Sequence, residues 1–171
     1  MPRPITSVTI EPIQPTKNAA HFAFAAMMIK IGPMKPLYTA VVTTKGGRKG
    51  YAEASDGKFK FNLGFPPELG GKGEGTNPEQ LFAAGYGACF GSAIELAAKN
   101  AKAAVTEIWV TPHVSIGQAA EGGFQLAVAL HVRLPGIPRP QAEEIVHAAH
   151  QICPYSRATR NNIEVALVVE D

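Results

Sequence analysis

GTNPEQLFAAGYGACFGSAI, Gly75 to Ile94, decides how the rest of the chain is read. Asn77 is a good N-cap, Pro78 falls where the first helical turn accepts proline, and Gln80 completes a capping-box pattern. The pattern predicts a helix from Pro78 to Lys99 or Asn100. Leu81, Phe82, Tyr86, Phe90, Ile94 and Leu96 give it apolar bulk, and only Glu79, Gln80, Glu95 and Lys99 are strongly polar. A helix apolar nearly all round is buried on all sides. In a chain of 171 residues that implies a subunit partner over part of it. Gly85, Gly87 and Gly91 each cost about 1 kcal/mol of helix propensity relative to alanine. Close approach of another backbone or a ligand would offset that cost, and so would tight helix packing alone.

Outward from this helix the pattern is α+β and mostly antiparallel. Leu37 to Thr44 is β-branched and reads as a strand, and KGGRKG (Lys45 to Gly50) as a turn with Arg48 at its centre. YAEAS, the Asp56-Gly57 hairpin signal and KFKFNL add two more strands. FPPELGGKGEG (Phe65 to Gly75) is a loop. Downstream, Val105 to Ile116 and Phe124 to Leu134 read as long strands. Gln141 to Ile152 has helical spacing, Pro154 disfavours its straight continuation, and Ile163 to Val169 is a last strand.

The totals narrow the classes. Apolar residues make up 46 % and charged residues 18 %, which suits one soluble globular core. A net charge of +2 argues neither for nucleic acid nor for an anionic membrane surface. No apolar run reaches the roughly 18 uninterrupted residues of a membrane span. Two cysteines are too few for a disulfide-rich secreted scaffold and suit a cytoplasmic protein. Residues 1–33 hold five prolines and a single acid, Glu11, and read as a flexible extension before a domain at 34–171, with a weak targeting segment as the alternative.

The two cysteines, Cys89 and Cys153, are the chemical question. A cysteine on an apolar helix is ordinarily a small buried hydrophobe, and burial raises a thiol's pKa. For Cys89 to react, positive charge must reach it. The dipole of its own helix is too far: Pro78 lies roughly 16 Å away along the axis, and the effect fades within about one turn. Lys99 and Lys102 sit at the helix's other end. Arg48, on its glycine-rich turn, is the better candidate, with Glu79 as the anion a buried guanidinium needs. The ordinary alternative is an Arg48 solvated at a hairpin tip. If Cys153 partners Cys89, the pair suits peroxide chemistry. A thiolate attacks, a sulfenic acid forms, and a second thiol traps it as a disulfide. Phe82, Tyr86 and Phe90 are candidates for an alkyl pocket, with membership of the core as the alternative. His147, His150 and Cys153 form H-x-x-H-x-x-C, which as a zinc site is a rival to this chemistry. A noncatalytic acyl-binding module is a second rival.

TNPEQLFAAGYGACF (Thr76 to Phe90) and HQICPYSRATRNNIEV (His150 to Val165) resemble the two signature segments of the organic hydroperoxide resistance (Ohr) branch of the OsmC/Ohr family. The resemblance covers 34–171. It implies antiparallel sheets around two central helices in an intertwined homodimer, with active sites at the subunit interface. It implies a cysteine-based peroxidase with no bound cofactor and no metal. In it Cys89 is peroxidatic, Cys153 resolving through a Cys89–Cys153 disulfide, Arg48 the thiolate's activator and Glu79 its carboxylate partner. Alkyl and fatty-acid hydroperoxides are the implied substrates, and dihydrolipoamide or a lipoylated carrier protein the implied reductant. Lys49 stands where the family usually has an acid, and Gly87 where it usually has alanine.

Overall fold

The computed structural model describes residues 35–171, so the extension expected at 1–33 lies outside the described residues. The chain divides into two units, Met1–Thr39 and Ala40–Asp171, and the helices and strands described belong to the second.

Two three-stranded sheets are described. The first runs β1 (Val42–Lys45), β2 (Tyr51–Ala54), β3 (Lys60–Asn62), all antiparallel. The predicted Leu37–Thr44 strand pairs only from Val42, because its partner β2 gives way to the Asp56-Gly57 turn beyond Ala54. The β1–β2 connection is a 3-10 turn, Gly47–Lys49. Gly46 has φ 78°, and a Cβ on Gly50 would stand 1.7 Å from the Lys45 carbonyl oxygen. Glycine is required at both places, and the tight turn projects Arg48 toward the start of the long helix.

That helix is α1, Pro78–Asn100. Its start is built as the sequence predicts. Asn77 Oδ1 accepts from the Gln80 N–H at 2.9 Å, and Gln80 Oε1 accepts from the Asn77 N–H at 3.3 Å. The second sheet follows: β4 (Trp109–Gln118), β5 (Phe124–Arg133) and, at the end of the chain, β6 (Val165–Glu170), in the order β4-β5-β6. β4 begins four residues later than the sequence suggests, since β5 ends at Arg133 opposite Trp109 and Pro135 ends any further pairing. The fold class is α+β as expected. One strand pair, β5–β6, is parallel, because α2 (Arg139–Ile152) and α3 (Pro154–Thr159) form the crossover between them. α3 was not foreseen as a helix. Pro154 does stop α2, and then opens a new helical turn from its first position.

The core lies between α1, α2 and the inner face of β4–β6. Tyr86, Phe90, Ile94, Leu130, Val132, Ile145 and Val146 are fully buried there. Within one chain α1 is not covered all round. Leu81 and Leu96 are 36 % and 50 % exposed, and a Cβ on Gly91 would meet nothing within 4 Å. By length and composition α1 is apolar enough to cross a bilayer, a property shared by the core helices of soluble proteins.

Candidate active site

The two cysteines meet. Cys153 Sγ lies 3.6 Å from Cys89 Sγ, and both are free thiols. Cys89 projects from the middle of α1 and is half-buried. Cys153 closes α2 and caps α3 with extended backbone, φ −62° and ψ 125°, and is fully buried. Burial pushes the Cys89 thiol pKa up. The Tyr155 backbone N–H pulls it down, and the neighbouring Cys153 pushes it up again.

Arg48 and Glu79 also meet, in a separate cluster. Arg48 Nη1 donates to Glu79 Oε2 at 2.7 Å and Nη2 to Oε1 at 2.5 Å, the two-pronged geometry that suits guanidinium and carboxylate. The side chains are 24 % and 13 % exposed, and the guanidinium also lies over the Phe65 ring at 5.6 Å. The hydrogen bonds from Arg48 hold the Glu79 carboxyl below the usual carboxylate range, and those same bonds raise the guanidinium's own pKa. The solvated-tip alternative for Arg48 is thereby set aside.

The triangle drawn from the sequence is not closed within one chain. None of the groups that shift the Cys89 thiol is cationic. Glu79 precedes Cys89 by ten residues on α1, roughly 15 Å along the helix axis. One chain therefore holds two separate clusters: a thiol pair in the middle of α1 and a guanidinium–carboxylate pair at its N-terminal end.

The pocket expectation is corrected for two of three aromatics. Tyr86 and Phe90 are completely buried in the core and line no opening. Helical spacing put them on the face of α1 shared with Phe82 and Cys89, but spacing does not tell an inward wall from an open one. Phe82, partly buried, does border an open cavity of about 520 Å³ with Phe124, Leu126 and Thr159. A second cavity, about 490 Å³, opens beside Glu79 and is walled by Pro66, Leu69, Pro112, Val114 and Ile116.

Two of the helix glycines lie close against other parts of the chain. A Cβ on Gly85 would stand 2.9 Å from the Tyr155 hydroxyl, so the phenol lies directly over the helix backbone there. A Cβ on Gly87 would stand 3.2 Å from Pro112 of β4. Tyr155 carries no pattern in the sequence that singles it out. Its ring stands 5.6 Å from that of Tyr86 and 6.1 Å from that of Phe82, one turn of α1 before Cys89.

The zinc rival finds no support. The Cys153 sulfur is turned to Cys89, and among the described residues no three His, Cys, Asp or Glu side chains gather as metal ligands. Burial and the nearby charge of Arg160 keep the His150 imidazole pKa below its usual value.

The sequence profile of the OsmC-like protein family matches residues 71–168. The organic hydroperoxide resistance protein of Xanthomonas axonopodis pv. citri is 48 % identical over 139 residues, 80 % of this chain and 97 % of that one. The crystal structure of an organic hydroperoxide resistance protein from Legionella pneumophila superposes with TM-score 0.76 at 47 % identity, over 80 % of this chain and all of that one. Another from Vibrio cholerae, with captopril bound in one of its active sites, gives 0.76 at 45 %, over 81 % of this chain and 95 % of that one. Signature segments, fold and thiol pair agree with these likenesses: the chain belongs to the OsmC family, in its organic hydroperoxide resistance branch.

Proposed function

We propose that the protein is a thiol-dependent peroxidase that reduces organic hydroperoxides to alcohols. One observation carries this reading: two free thiols 3.6 Å apart, one reachable from outside and the other sealed. The Cys89 thiolate attacks the terminal peroxide oxygen. An S–O bond forms, the O–O bond breaks, and the departing alkoxide takes a proton to become the alcohol. The sulfur has lost two electrons and is a sulfenic acid. Cys153, as thiolate, then attacks that sulfur, and hydroxide leaves as water once protonated. A dithiol, dihydrolipoamide or a lipoylated carrier, returns two electrons and two protons and restores both thiols.

Burial alone keeps Cys89 protonated at neutral pH, so a cation must be supplied. Arg48 of the same chain is held on Glu79, whose place on α1 is about 15 Å along the axis from Cys89. In this reading the protein is a homodimer and the partner subunit's Arg48, steadied by the partner subunit's Glu79, faces Cys89. The uncovered apolar surface favours this: Val42, Leu81, Leu96 and Trp109 are each at least 36 % exposed. The apolar cavities favour substrates with an alkyl part, since each buried methylene contributes about 0.8 kcal/mol.

The test is turnover of cumene hydroperoxide with dihydrolipoamide. Wild type consumes peroxide catalytically, and Cys153→Ser supports one oxidation and then accumulates over-oxidised Cys89. Full activity in Cys89→Ser, or no turnover by wild type with any dithiol, overturns the proposal.

A further inference from the structure

The buried polar groups nearest the thiols are not used by the chemistry above. Tyr86 Oη lies 2.9 Å from Ser156 Oγ and 3.4 Å from Thr159 Oγ1. Tyr86 and Ser156 are both fully buried, and Thr159 is 5 % exposed. Thr159 Oγ1 also donates to the Tyr155 or Ser156 carbonyl, at 3.1 and 3.2 Å. This small hydroxyl network sits in an otherwise apolar core.

Its placement is specific. Tyr86 stands three residues before Cys89 on α1, and Ser156 stands three residues after Cys153 on α3. Two rungs therefore join the same two segments, one turn apart: the thiol pair at 3.6 Å and the hydroxyl pair at 2.9 Å. Between Cys153 and Ser156 the backbone has little freedom. The Pro154 ring fixes its own φ, so α3 swings relative to α2 chiefly about ψ of Cys153. The hydroxyl rung spans that swing. A pair of apolar side chains of the same shape would fill the space equally well, but would not fix the rotation.

We propose that Tyr86 and Ser156 are positioning residues for the resolving step, pinning α3 so that the Cys153 sulfur is aimed at Cys89. The proposal rests on the peroxidase reading. Neither hydroxyl touches peroxide or sulfur. They act on how fast the sulfenic acid is captured, and so on how often it meets a second peroxide first. Capture requires the sulfurs to close from 3.6 Å to the roughly 2.05 Å of a disulfide along one line, and a misaimed thiol loses rate steeply.

The experiment uses full-length protein, pre-reduced, with one equivalent of tert-butyl hydroperoxide and no reductant, quenched with acid and read by mass. Three variants are compared with wild type: Ser156→Ala, Tyr86→Phe and the double variant. In each, peroxide disappears at the wild-type rate within about twofold, while disulfide appears roughly 10- to 100-fold more slowly. The sulfinic product at excess peroxide rises accordingly. The double variant separates aiming from mere stability. It leaves no buried hydroxyl orphaned by the loss of its partner, so its melting temperature recovers toward wild type. Under the proposal its disulfide rate does not recover. A wild-type disulfide rate in the folded double variant overturns the pin. Failure of wild type itself to form sulfenic acid or disulfide overturns the peroxidase reading instead.

Discussion

The region from α1 to β6 and the hairpin sheet β1–β3 are built to different standards. The first has a closed core and brings its thiol pair together without help. The second is thin. Every residue of β1 is exposed, Phe59 is 40 % exposed against Phe61, and of its strand residues only Ala52 is buried. Yet it carries Arg48, whose pairing with Glu79 is among the better formed polar contacts of the chain. In the proposed function, the self-sufficient region holds the reacting atoms, and the open one holds the charge that would make them react across a dimer.

The largest effect expected is the loss of all turnover in Cys89→Ser, measured as dithiol-dependent peroxide consumption falling to the uncatalysed rate. It tests whether the closed region holds the chemistry at all. Next is Arg48→Ala. Burial raises the Cys89 pKa, so below that value the thiolate fraction and the alkylation rate rise about tenfold per pH unit. If the open region supplies charge across a dimer, wild type reaches its plateau at lower pH than Arg48→Ala, and the variant is roughly 10- to 100-fold slower at neutral pH. Superimposed profiles would break the contrast drawn here.

Two alanine substitutions on α1 sharpen it. Gly87 faces Pro112 of its own chain, so Gly87→Ala gains helix propensity only by moving the proline ring a few tenths of an ångström, and its stability stays within about 1 kcal/mol of wild type. Gly91 faces nothing in its own chain, so Gly91→Ala raises the stability of dilute monomer by about 0.5–1 kcal/mol. The same variant weakens self-association if a second copy covers that face. Thermal melts and sedimentation across a concentration series read both. The smallest effect is acid-side. The Glu79 pKa is depressed below 4.5 in the folded chain, chiefly by hydrogen bonding to Arg48. Its contribution to stability is full above that value and is lost as pH falls through the folded one. Glu79→Gln is therefore less stable near neutrality and shows a shallower loss between pH 4.5 and lower values in denaturant titrations.

Much of this was legible before any coordinates. The capping box named the start of α1 because side chain and backbone settle it within four residues. The Arg48–Glu79 pairing was one of two readings the sequence left open, and the needs of a guanidinium leaving water favoured it over a solvated hairpin tip. What stayed hidden was long-range. The parallel β5–β6 register depends on how the α2–α3 crossover returns. The burial of Tyr86 and Phe90 depends on which face of α1 meets the sheet. The hydroxyl rung joins residues 70 positions apart, and no local pattern announces that.

The sealed setting of Cys153 beside the reachable Cys89 gives their bond a front and a back. In the proposed cycle, once the two sulfurs are joined, an incoming dithiol would find only the front one. It would form its mixed disulfide on Cys89 and eject Cys153, so recycling would pass through the same doorway as oxidation and leave the inner sulfur unvisited.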